Sequence, residues 1–275
     1  MTSDSALPPM APSFDVTPEQ FAQFSEQGHT VVRGLASPEE VEAFRPAIEA
    51  AVMRVTAGKT ALDERDTYGK AFLQVPNLCF ADETVRKFTF AARFAKVAAE
   101  LLGVEGVRLY HDQALFKEPG GGHTPWHQDQ TYWPLATDRT ITMWMPLVDV
   151  PAEVGTMTFA DGSHGHGDLG AWVIGDESEA GFNQVVRDRG FSTTTYGAAK
   201  AGDATFHMGW MVHRAPDNGT DLLRSVMTII YVADGTLVGE IDSPYRAFDR
   251  ALWLGGAETG TLIEGPGNPL LWPVS

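Results

Sequence analysis

Residues 109–133 read LYHDQALFKEPGGGHTPWHQDQTYW. Here the spacing of apolar side chains changes from helical to two, beginning at Val107. Residues 107–117 therefore read as a strand with His111, Gln113 and Leu115 on one side. Similar strand-like runs follow at 139–150, 155–160, 191–196, 203–206 and 222–233. They are rich in Thr, Val, Ile and aromatics and are parted by Gly, Pro and Asp turns. Upstream the pattern is helical. Thr17-Pro18-Glu19-Gln20 and Ser37-Pro38-Glu39-Glu40 each combine a cap, a first-turn proline and an acceptor three residues on. The first opens a helix stopped by Gly28, after which residues 29–35 form a short strand. The second opens a longer helix with Val41, Phe44, Ile48 and Val52 on one face. Residues 56–70 read as a polar loop, and 83–102 as a third helical stretch, broken near Arg93 and ended by Gly103. A helical part (17–103) followed by many short strands (107–233) predicts a mainly-β fold, a sandwich or barrel with helices packed outside.

The chain has 275 residues, 43% of them hydrophobic, and a net charge of −16. That is enough for one sizeable core, so residues 14–275 are read as a single domain preceded by a flexible tail, 1–13. The acidity argues against nucleic acid or an anionic membrane as partner, since both select basic surfaces. One cysteine, Cys79, excludes an internal disulfide framework and a Cys-rich metal site. The first fourteen residues contain no Lys or Arg, and no apolar run spans a bilayer, so a cytoplasmic location is expected. The Gly-rich stretch 162–190 has the length of a lid. Residues 235–275, with Tyr245, Phe248, Trp253 and Trp272, are expected to fold back over the sheet.

The chemistry centres on residues 124–130, TPWHQDQ. On an extended backbone His127 and Asp129 point together while Gln128 points away. An imidazole and a carboxylate so placed offer two ligands to one cation. His213, in GWMVHRAPD (209–217), is the best third. Two His and one carboxylate on one face leave the opposite coordination positions open, the ligand set of non-haem Fe(II) oxygenases. His-x-Asp alone is a weak signal, since His166-Gly167-Asp168 repeats it in a Gly-rich loop. Arg224 lies in the apolar run 222–233, where a buried cation needs an anion. Two partners suit it: the far carboxylate of a dicarboxylic co-substrate, or a buried Asp or Glu.

Together 109–133, 141–164 (ITMWMPLVDVPAEVGTMTFADGSH) and 201–232 (AGDATFHMGWMVHRAPDNGTDLLRSVMTIIYV) resemble the phytanoyl-CoA dioxygenase family of Fe(II)/2-oxoglutarate oxygenases. The resemblance covers roughly residues 17–233, and the forty C-terminal residues match no known pattern. It implies a double-stranded β-helix, the cupin-like jelly-roll, with Fe(II) held by His127, Asp129 and His213. It also implies that Arg224 holds the distal carboxylate of 2-oxoglutarate. Gln113, Leu115, Thr124 and Trp144 match positions lining the co-substrate pocket. Two departures stand out. The turn 160–164 lacks the usual proline. Ala215 replaces a serine that in some relatives helps hold 2-oxoglutarate, with Gln113 or Ser225 available to compensate.

Of the other histidines, His111 reads as a core residue facing Gln113, His207 as packed near the site, His164 as a turn residue and His123 as exposed. Trp126, Tyr132, Trp133, Trp144, Trp172 and Trp210 crowd the motifs, as core or as pocket wall. Arg187, Asp188 and Arg189 read as a solvated charge run. The implied activity is hydroxylation of an unactivated C–H in a mid-sized hydrophobic small molecule, with O2 as co-substrate. Relatives that halogenate have a small residue in place of Asp129, so its carboxylate argues for an oxygenase outcome. The alternatives are a 2-oxoglutarate-independent metalloenzyme of cupin type and a non-catalytic jelly-roll binding module.

Overall fold

Both capping signatures open helices. Helix α1 (Pro18–Gln27) and α2 (Pro38–Thr56) carry full capping boxes, Thr17 with Gln20 and Ser37 with Glu40, and β1 (His29–Val32) lies between them. In the computed structural model residues 7–154 and 156–274 are described. The run 56–70 is not all loop: a 3-10 turn covers Leu62–Glu64, and α3 (Thr67–Ala71) begins within it, capped by Asp66. Then come β2 (Leu73–Pro76), α4 (Leu78–Ala81), α5 (Glu83–Thr89) and α6 (Ala92–Leu102). The break in the third helical stretch thus falls just before Arg93.

The strands follow: β3 (Val107–Phe116), β4 (Thr124–His127), β5 (Thr140–Pro146) and β6 (Thr158–Ala160). After them come α7 (Asp176–Arg189), β7 (Thr193–Thr195), β8 (Ala204–Met208), β9 (His213–Ala215) and β10 (Val226–Ala233). Helix α8 (Pro244–Trp253) and β11 (Leu270–Trp272) complete the chain. Two antiparallel sheets result. The larger runs β1-β8-β5-β10-β3-β11 with β2 also on β3, and the smaller runs β4-β9-β6-β7. The main core lies between the outer face of the larger sheet and the helical layer, where Phe44, Ile48, Phe94 and Val97 meet Phe206, Met143 and Ile229.

The segment 162–190 is not an open loop. Its second half is α7, with Asp176, Glu177 and Glu179 in the first turn, Arg187 and Arg189 in the last, and Gly190 as a left-handed cap. Those charges complement the helix dipole, and Phe182 is buried beside Trp126. The strand expected from 222 starts only at Val226. Arg224 precedes it in a single bridge with Lys117, closed by two backbone hydrogen bonds of 2.9 and 3.0 Å. Residues 1–6 of the expected tail lie outside the described residues. Met10 is not tail-like; it packs into the core.

One irregularity in β3 sets the cavity wall. Against β10 the register runs His111↔Ile230 and then Leu109↔Tyr231, so Tyr110 is an extra residue. Such a bulge reverses which side chains face which way. Leu109 consequently joins the helix-side core, while His111, Gln113 and Leu115 turn into the space between the sheets.

Candidate active site

Strands β4 and β9 pair with His127 opposite His213, and the two rings lie 4.0 Å apart. Asp129 opens a 3-10 turn rather than lying on a strand, yet Gln128 remains extended at φ −120°, ψ 124°. The alternation therefore persists through the motif. The Gln128 side chain points away, donating to the carbonyls of Gly167 and Trp210 and accepting from the Leu169 N–H. His127, Asp129 and His213 converge, with all their ligand atoms within 4.8 Å of one another. Asp129 Oδ1 is 3.5 Å from His127 Nε2 and 3.9 Å from His213 Nε2. Two bonds of about 2.1 Å to a shared ion allow up to about 4.2 Å, so both separations fit one metal.

The surroundings prepare the three ligands. His127 Nδ1 lies 2.8 Å from the Pro125 carbonyl, and His213 Nδ1 lies 2.9 Å from that of Met211. A carbonyl only accepts, so each Nδ1 carries the proton and each Nε2 lone pair is left for a metal. Asp129 Oδ2 is occupied by the Thr142 hydroxyl at 3.2 Å and His207 Nε2 at 3.3 Å, which leaves Oδ1 free. Burial alone would raise the Asp129 pKa. The histidines around it, His213 foremost, outweigh that and hold the carboxyl well below the usual range. Burial, reinforced by His127 and His207, keeps His213 neutral far below its ordinary pKa. An anionic oxygen and two neutral nitrogens are what a hard-to-borderline divalent ion such as Fe(II) accepts.

A cavity of about 590 Å³ opens from this triad between the two sheets. The eight residues assigned to the metal or matched to the co-substrate pocket all lie on its wall: His127, Asp129, His213, Arg224, Gln113, Leu115, Thr124 and Trp144, whereas Trp126, Trp172 and Trp210 do not. Arg224 is buried with its guanidinium 5.5 Å from the Trp144 ring centre, and burial pushes its pKa down to about 10. The buried Thr124 hydroxyl has no hydrogen-bond partner among the described residues, and Ala215 and Thr228 stand on the same wall. A cation, a free hydroxyl and the triad, all facing one cavity, suit a dicarboxylate that also reaches the metal. Ser225 does not join them, because its hydroxyl donates to Glu49. His207 and His111 do face the cavity, whereas His123, His164 and His166 do not.

The chain belongs to the phytanoyl-CoA dioxygenase family, whose sequence profile matches residues 24–226. Among solved structures it resembles the non-haem α-ketoglutarate-dependent carbocyclase SnoK from nogalamycin biosynthesis. The identity is 25%, the TM-score 0.75, and the match covers 93% of this chain and 96% of that one. The epimerase SnoN, solved with Fe3+, α-ketoglutarate and nogalamycin RO, is 28% identical with a TM-score of 0.73, covering 92% and 97%. A probable α-ketoglutarate-dependent hypophosphite dioxygenase of Stutzerimonas stutzeri is 24% identical over 152 residues, 53% of each chain, so this chain spans about half of that relative. The fold is the jelly-roll of this class, and the protein is an iron- and 2-oxoglutarate-dependent oxygenase. No helix among the described residues is long and apolar enough to cross a membrane.

Two groups of wall residues were missed in the sequence. Tyr68, Phe72 and Gln74 come from and just beyond the stretch read as polar loop. Phe248, Asp249, Leu252 and Trp253 come from α8, beyond the matched residues. The signal for α8 was present: Ser243-Pro244 is a capping pair, and the Ser243 hydroxyl does accept from the Arg246 N–H.

Proposed function

We propose that this oxygenase hydroxylates an unactivated C–H of a mid-sized hydrophobic small molecule, releasing succinate and CO2. The observation that carries this reading is the convergence of the carboxylate-bearing triad, Arg224 and the aromatic cavity wall on one space. His127, Asp129 and His213 would hold iron, and Arg224 would fix the far carboxylate of 2-oxoglutarate. Thr124 and Gln113 would orient that co-substrate beside Leu115 and Trp144. When bound, iron with 2-oxoglutarate and O2 supplies the oxidising power for removing the substrate hydrogen. The chain's own part is to orient and exclude water. Tyr132, Trp133, Val173 and Ile174 wall the substrate side, and the Tyr132 hydroxyl accepts from the Ile174 N–H at 2.7 Å. Residues 162–190 would govern entry through that edge. The lone buried Cys79 fits a reducing cytoplasm, which also preserves ferrous iron.

The test is an anaerobic titration with Fe(II) and then 2-oxoglutarate, following the weak visible charge-transfer band. The band should form in the wild type, and Arg224→Leu should raise its 2-oxoglutarate midpoint about 30-fold or more, as loss of one partner from a buried charge pair does. Iron bound without a band would sink the co-substrate assignment. The likeness to a carbocyclase and an epimerase favours a second outcome at the same centre, in which hydrogen removal is followed by ring closure or inversion. Product mass with labelled O2 separates the two, because only hydroxylation incorporates oxygen.

A further inference from the structure

Helix α8 is built the wrong way round for a surface helix. Its acid Asp249 is only 9% exposed, while Phe248 is 65% and Leu252 41% exposed. Amphipathic helices normally bury the apolar stripe and leave carboxylates in water. Here Phe248, Asp249, Leu252 and Trp253 all line the catalytic cavity. The exposed apolar groups therefore stand at its mouth beside Val173, itself 40% exposed, and the carboxylate lies among rings. Trp253 stacks on His111 at 4.1 Å, and Trp133 meets the same imidazole edge-on.

A carboxylate placed this way is costly without a partner of opposite charge. The groups that face it are the Tyr110 hydroxyl, the Trp253 indole N–H and, further off, the acid Asp129, none of them cationic. Arg250, the next residue, is not among the groups that act on Asp249, and two other cations have acidic partners of their own. Arg246 pairs with Asp242 at 3.1 Å and Arg214 with Glu179 at 3.2 Å. At the other end of the cavity the charges balance once loaded. A divalent iron and Arg224 would offset Asp129 and the doubly charged co-substrate, so no cation at that end is left over for Asp249. Aromatic faces beside a carboxylate are the setting in which organic ammonium groups bind, through cation–π attraction and ion pairing together. The chain's net charge of −16 draws such cations inward and repels polyanions.

From this juxtaposition we infer that Asp249 and the rings of Trp133, Trp253 and Phe248 form a substrate subsite for a protonated amine. The substrate class is then a ring-bearing apolar molecule with a basic nitrogen, held by Asp249 at the outer wall. The inference rests on the oxygenase reading for its statement that the ligand is a substrate. The subsite itself rests on α8 and the Trp133 ring that faces it, not on the metal. Helix α8 lies beyond the residues matched to the family profile, 24–226.

The test uses the protein loaded anaerobically with Fe(II) and 2-oxoglutarate and two probes of matched shape, naphthalene-1-methylamine and naphthalene-1-methanol. Binding is followed by quenching of tryptophan emission. The ammonium probe should bind the wild type about tenfold or more tightly than the alcohol, the size of a hydrogen bond to a charged group. Asp249→Asn should remove that preference and leave the alcohol unchanged. Leu252→Lys, on the exposed rim of the cavity, should weaken the ammonium probe several-fold more than the alcohol. Equal binding of the two probes to the wild type, or a preference that survives both variants, overturns the subsite. If the charge-transfer band forms but the probes bind equally, the subsite falls and the oxygenase reading stands. If the preference appears and is lost in Asp249→Asn but no band forms, the oxygenase reading falls and the amine subsite remains.

Discussion

Glu179 on α7 joins the two strands that carry the histidine ligands. One carboxylate oxygen accepts from the Trp126 N–H at 2.8 Å, immediately before His127. The other accepts from Arg214 at 3.2 Å, immediately after His213, and from Asn183 at 2.9 Å. Arg214 also covers the Trp126 ring at 4.6 Å, so helix and strands are clamped as one unit. A backbone N–H bonded to a charged acceptor contributes about 1.5–3 kcal/mol. The Arg214 pair, whose side chains are 41% and 23% exposed, adds only about 0.2–1 kcal/mol. Glu179→Ala should therefore cost about 2–4 kcal/mol of folding stability, read as a shift in the urea midpoint of metal-free protein. Glu179→Gln, which keeps one acceptor for Trp126, should cost about half of that. Freed of the clamp, the ligand spacing loosens, and iron should bind about 10–100-fold more weakly, as when outer contacts to metal ligands are removed. An anaerobic Fe(II) titration of Glu179→Ala, under conditions where it is fully folded, measures this. Iron affinity within twofold of wild type would refute the reasoning, because the strands would then hold their spacing without α7.

Three further outcomes are expected. His166→Ala should leave iron affinity unchanged by the same titration, since His166 packs on Phe191 away from the cavity; a loss of binding would overturn the choice of triad. Thr142→Val removes the hydroxyl at Asp129 Oδ2 and should weaken iron about tenfold, with 2-oxoglutarate affinity little changed. Burial pushes the Asp249 carboxyl up to about 7, so the folded state holds a proton that the unfolded chain releases near about 4. The stability linked to that proton is full below about 4 and lost as pH rises to about 7. It amounts to at most roughly 4 kcal/mol. Urea midpoints should therefore show Asp249→Asn gaining on the wild type between about pH 5 and about pH 8, and a constant difference would rule the shift out.

What the sequence disclosed and what it concealed have physical causes. His127 and Asp129 were legible because Gln128 stays extended, so a period of two survives even where the strand ends. Leu109 shows the limit. Unbroken alternation would put it beside His111, and one extra residue at Tyr110 sends it to the helix side, which no periodicity records. Helix α7 was hidden by composition, since the glycines between 162 and 181 suggest a loop. Its acids at 176–179 and basic residues at 187–189 nevertheless satisfied the helix dipole. Helix α8 was hidden for a different reason: its buried residue is an acid, and only the way the helix sits over the cavity explains that choice.

The two imidazoles take their orientation from the main chain, each from the carbonyl two residues before it. No side chain supplies these acceptors, so no single side-chain replacement at those positions removes them. The instruction for the correct tautomer is written into the path of the peptide rather than into any exchangeable group. The part of the centre that sets the tautomers is thereby contained in two short segments, 125–127 and 211–213, while the spacing and the carboxylate still depend on Glu179, Thr142 and His207. Side-chain changes elsewhere on the cavity wall can therefore alter what fits there without altering which nitrogen each histidine offers.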